Sequence, residues 1–108
     1  MWPTTICLGE VSGLSVDNVK LIFQAKVKCE GFEGKAFLEM WCLVNGKNYF
    51  SRGLNSFVTG TSNWRKVQTP FLLQKNQMAE KVILNIVING KGTVWVDDVI
   101  LSKQELSQ

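Results

Sequence analysis

Apolar side chains recur at every second residue over most of this chain, and nowhere does a 3.6-residue spacing persist for more than two turns. That period belongs to strands with one buried and one solvated face, so the sequence predicts an all-β, antiparallel protein. From Lys20 to Lys28, Leu21, Phe23, Ala25 and Val27 share one face, while Lys20, Gln24, Lys26 and Lys28 take the other. The outward lysines would guard this strand against aggregation if it lay near a sheet edge. Ala36, Leu38, Met40 and Cys42 alternate with Phe37, Glu39, Trp41 and Leu43, and Val82, Leu84, Ile86 and Ile88 with Ile83, Asn85, Val87 and Asn89. Asn45-Gly46 supplies the two positive-φ positions of a type I′ hairpin turn. Turns are also expected at Glu30–Gly34, Thr59–Asn63, Lys75–Gln77 and Asn89–Gly92, with a loop around Gly53, Asn55 and Ser56.

The last strand carries a parity break. Val94 and Val96 share one face, whereas Val99 and Leu101 share the other, so both pairs reach one core only if a β-bulge sits at Asp97-Asp98. Near the N-terminus, Ile6, Leu8, Val11, Leu14 and Val16 suggest one irregular strand interrupted at Gly9 and Gly13. Five to seven short strands with frequent turns describe an antiparallel two-sheet β-sandwich or a small barrel.

At 108 residues, 45% of them apolar, the chain has material for one domain spanning residues 1–108 and its own core. Histidine is absent, which excludes a Ser/His/Asp triad, a Cys/His dyad and any His-ligated metal centre. The net charge of +3 comes from dispersed lysines and arginines, so nucleic acid is not an expected partner, and with no apolar stretch of 18 residues neither is a membrane. Cys7, Cys29 and Cys42 cannot all pair within one chain and read as free thiols. With no signal-peptide pattern the sequence as given reads as cytoplasmic, or as extracellular if it is a fragment of a larger protein.

Gly60-Thr61-Ser62-Asn63-Trp64, then alternation through Phe71, then Gly90-Lys91-Gly92-Thr93-Val94-Trp95-Val96-Asp97-Asp98-Val99-Ile100-Leu101 form an ordered set. Together with Leu21–Lys28, this order is similar to the carbohydrate-binding-module-like jelly rolls of the galactose-binding-domain-like group, over roughly residues 20–101. The resemblance implies two antiparallel sheets in a jelly roll and a non-catalytic role in binding sugars or other small polar ligands. Such domains commonly carry more N-terminal strands than the 19 residues before Lys20 provide. Either the domain is pared down or a second copy, in a homodimer, covers the bare sheet edge.

A sugar needs an aromatic platform for its C–H face and planar polar groups for its hydroxyls. Phe37, Glu39 and Trp41 stand at i, i+2 and i+4 on one face, with Tyr49 or Arg52 expected alongside across the hairpin and Asn85 and Asn89 on a neighbouring strand. These seven residues are the expected ligand-binding set. The competing account makes the same aromatic face, or the N-terminal edge, a protein-interaction or oligomerisation surface. Trp64, at a strand entry, is expected in the core, and Trp95 outside it against the N-terminal segment. Asp97 and Asp98 are the candidate calcium ligands, although two carboxylates are few for an ion that takes six to eight oxygens, and a hydrogen-bonded structural role competes. No other cofactor is expected. A pair formed by Glu39 with Asp97 or Asp98 is the only arrangement that would hydrolyse a glycosidic bond, and nothing in the spacing sets it across a groove.

Overall fold

The computed structural model describes residues 3–14 and 16–106; Trp2, which the sequence leaves unplaced, lies outside them. Four strands account for almost all of the described chain: β1 (Thr4–Ser12), β2 (Val19–Val44), β3 (Lys47–Leu73) and β4 (Ala79–Glu105). All pairings are antiparallel, in the order β1-β4-β2-β3. The all-β antiparallel expectation holds. The lysine-bearing strand from Lys20 to Lys28 is not an edge, however, because β2 pairs with β3 on one side and β4 on the other along its length.

Length forces this sheet to bend. A straight strand of 26 residues would run about 85 Å, yet the longest dimension of the molecule is 44 Å. Residues 74–78 alone link Leu73, paired with Val19, to Ala79, paired with Val44, so the two ends of β2 are drawn together. The edge of β3 meets itself as well. The Ser51 hydroxyl bonds the Thr69 hydroxyl and donates to the Pro70 carbonyl, and the Gln68 N–H donates to Ser56 Oγ. The fold-over places Leu21, Phe23, Ala25 and Val27 from one half of β2 in a single core with Ala36, Leu38, Met40 and Cys42 from the other. Each wholly buried large side chain, such as Phe23, Leu38 or Met40, contributes about 1.5–3 kcal/mol of transfer free energy.

Three segments expected to reverse the chain bend it instead. Gly31 and Gly34 in β2, Gly60 in β3 and Gly90 and Gly92 in β4 all have positive φ. Phe32 pairs with Gly60 and Gly34 with Gly90, so the glycines of three adjacent strands lie at one level. The register shifts between Val27 and Ala36 are the bulges that turn the sheet there. The segment around Gly53, Asn55 and Ser56 is likewise strand.

Two local readings agree with the structure. Asn45 (φ 51°) and Gly46 (φ 79°) form the two-residue turn, with Val44 opposite Lys47. In β4, Gln24 pairs with Ile100 and Lys26 with Asp97, leaving an extra residue at Asp98, whose φ is 51°. That bulge carries Val94, Val96 and Leu101 to the core, but Val99 stays 40% exposed. Trp64 departs from its expected core position and is 44% exposed. Trp95 is outside the core, as expected, though Lys28 rather than the N-terminal segment packs on its ring, at 5.2 Å.

Candidate functional site

The outward face of the half built from residues 36–44 of β2 carries the expected set. Even-numbered residues from Ala36 to Cys42 are buried in the core, which turns Phe37, Glu39 and Trp41 to the other side. β3 sets Arg52 opposite Glu39 and Phe50 opposite Trp41, while β4 sets Asn85 opposite Glu39 and Val87 opposite Phe37. β1 extends the face with Thr5 opposite Val87 and Cys7 opposite Asn85.

Glu39 is the centre of a polar row across three strands. Arg52 Nε donates to its Oε2 at 2.9 Å, and Trp41 Nε1 and Asn85 Nδ2 donate to its Oε1 at 2.8 and 3.3 Å. Only 5% of Glu39 is exposed, a placement a carboxylate tolerates when its charge is paired and its lone pairs are used. Burial opposes ionisation, but the hydrogen bonds from Arg52, Trp41 and Asn85, with the charge of Arg52, outweigh it and hold the pKa below the ordinary 4.5. Glu39 is therefore an anion at neutral pH with no proton to give.

The aromatic groups flank this row. Trp41 lies half-buried against Phe50, ring centres 5.1 Å apart and planes tilted by 42°, and the Arg52 guanidinium sits 4.5 Å over the Phe50 ring. Two hollows open on either side. One, of about 250 Å³, is lined by Thr5, Phe37, Glu39, Arg52, Leu54 and Asn89 among others. The second, of about 180 Å³, is lined by Trp41, Leu43, Asn48, Lys81 and Ile83. Two larger hollows lie elsewhere. An apolar one of about 310 Å³ is bounded by Leu14, Val16, Leu21 and Leu101, and another of about 360 Å³ sits beside the bend at Lys28, Glu30 and Asn63. Neither joins an aromatic platform to a converging polar row, so the smaller pair is the better candidate.

Six of the seven expected residues, Phe37, Glu39, Trp41, Arg52, Asn85 and Asn89, come together here. Tyr49 does not. It pairs with the core residue Cys42 and leans on Phe71, ring centres 6.0 Å apart, in the seam where β3 meets itself. Phe50 takes the place expected for it. Counting outward from the two-residue Asn45-Gly46 turn would have found this, because that turn puts position 50, not 49, opposite Trp41.

Asp97 and Asp98 belong to the other half of the sheet. Asp98 lies 3.3 Å from Lys26 Nζ, and Asp97 Oδ1 accepts the Asp98 backbone N–H at 2.8 Å. Among the described residues no group of three or more His, Cys, Asp or Glu converges as a metal site. Cys7, Cys29 and Cys42 are free thiols, and burial pushes the Cys42 pKa up to about 12, far from a nucleophile's range.

The chain matches no family model, and neither a curated protein nor a solved structure is significantly similar to it.

Proposed function

We propose that this chain is a non-catalytic ligand-binding module that receives a carbohydrate, or a small polar ligand of like chemistry, on the face around Trp41. In this reading the folded-over sheet is a jelly roll of the galactose-binding-like kind. One observation carries it: the Trp41–Phe50 pair stands beside an Arg52–Glu39–Asn85 row already locked by hydrogen bonds, with open hollows on both sides. A sugar ring would lay its C–H face on the indole while its hydroxyls meet the planar polar groups. A hydrolase acid needs a raised pKa, and the lowered pKa of Glu39 argues for a holding role. Intrinsic fluorescence titrated with mono- and oligosaccharides should change in the wild type. Trp41→Ala should bind about tenfold more weakly, the scale of one lost aromatic contact. A panel that produces no response would remove this reading.

A second reading, assembly, is favoured by a different observation. β1 reaches β4 only as far as Ile88, so among the described residues Thr93–Glu105 has β2 on one side and no strand on the other, with Trp95, Val99 and Ile100 exposed. The Asp98 bulge, with its charged side chains, blunts that edge, which ranks assembly second. Light scattering after size exclusion should report a monomer; a dimer at all concentrations would reverse the ranking.

A further inference from the structure

Arginine carries five N–H donors in a planar fork. Arg52 spends its Nε–H on Glu39, and no other hydrogen-bond or ion-pair partner for its side chain occurs among the described residues. The two terminal NH₂ groups are left, on a side chain 45% exposed. The plane is held on one edge by Glu39 and on its face by Phe50, so little freedom remains to be lost when an acceptor arrives. Glu39 itself offers a ligand little, since its two oxygens already accept three donors. The other charges on this face are also cationic or already paired. Lys35 lies 4.7 Å over the Phe57 ring, and Lys81 is 3.2 Å from Glu10. Among the described residues lining the two hollows, the site therefore has donors to give and no free carboxylate to receive hydroxyl protons.

Resting on the saccharide reading above, we propose that the ligand is an acidic saccharide, of the uronic-acid type, whose carboxylate takes the free edge of the Arg52 guanidinium while its ring lies on Trp41. Two parallel N–H···O bonds to a planar carboxylate fit that edge, and a lysine cannot reproduce them.

Calorimetry at one ionic strength compares oligogalacturonides, their methyl esters and neutral galacto-oligosaccharides of equal length. The acid form should bind the wild type about tenfold tighter than the ester or the neutral chain, the scale of a charge-assisted bidentate contact. Arg52→Lys, which keeps a cation beside Glu39, should lose that preference, binding acid and ester alike. Acetate should not displace the saccharide. Equal affinity for acid and ester in the wild type overturns the acidic assignment and leaves the saccharide reading standing. Failure of all three to bind overturns both. An acid preference that survives in Arg52→Lys, or full displacement by acetate, overturns the role given to Arg52 or to the ring.

Discussion

Gly34→Ala and Gly90→Ala should each abolish the native fold. A Cβ on Gly34 would lie 2.1 Å from the Asn89 carbonyl oxygen and 2.7 Å from Gly90 Cα, and one on Gly90 would lie 2.0 Å from the Glu33 carbonyl oxygen. These are backbone atoms of a paired strand, so no side chain can swing aside. The φ values, 133° and 154°, add strain for any L side chain. The clash is relieved only by opening the β2–β4 pairing at the bend, where the sheet begins to close over its core. A loss of about 4 kcal/mol or more is expected, comparable to the whole stability of many small domains. Gly46→Ala is the control. Its φ is 79° but nothing lies within 4 Å of a Cβ there, so it should cost only about 1 kcal/mol. Urea titrations followed by circular dichroism would decide the matter, and a Gly34→Ala midpoint equal to that of the wild type would refute the steric account.

The second large effect concerns Glu39. Arg52→Met leaves a buried carboxylate hydrogen-bonded to Trp41 and Asn85 but with no cation beside it. Breaking a fully buried pair costs about 3–5 kcal/mol, and the exposure of Arg52 to water reduces the expectation to about 1–3 kcal/mol. Glu39→Gln combined with Arg52→Met should recover part of that loss, since no charge is then stranded. The pH dependence follows from the lowered pKa. The ionised form stabilises the fold, so its contribution is complete above the ordinary value of 4.5 and disappears as pH falls through the depressed folded value. Glu39→Gln should flatten this part of the acid unfolding curve; an unchanged curve would show that Glu39 contributes nothing to it.

Much of the face was legible in the residues. Alternation through Ala36–Leu43 separates core from exterior, and the outward Phe37, Glu39 and Trp41 follow from parity alone. The placing of Tyr49 failed for a local reason: the register of a two-residue turn pairs it with Cys42. The placing of Trp64 failed for a global one. It lies on β3, which among the described residues pairs with no strand but β2 and at Trp64 leaves the ring exposed, and an aromatic residue at a strand entry has the same local pattern in a covered strand as in an edge strand.

Strand character, the Asn45-Gly46 turn, the Asp98 bulge and the absence of histidine chemistry were determined by the sequence itself, because each depends on residues within a few positions of one another. Tertiary structure decided whether the glycine segments at 31–34, 60 and 90–92 reverse the chain or fold a continuous sheet. A positive φ serves a hairpin and a bulge equally well. Only the pairing of distant strands, with Gly34 set against Gly90 and Phe32 against Gly60, selects the bend. That same pairing assembles the Arg52–Glu39–Asn85 row from three strands far apart in the chain.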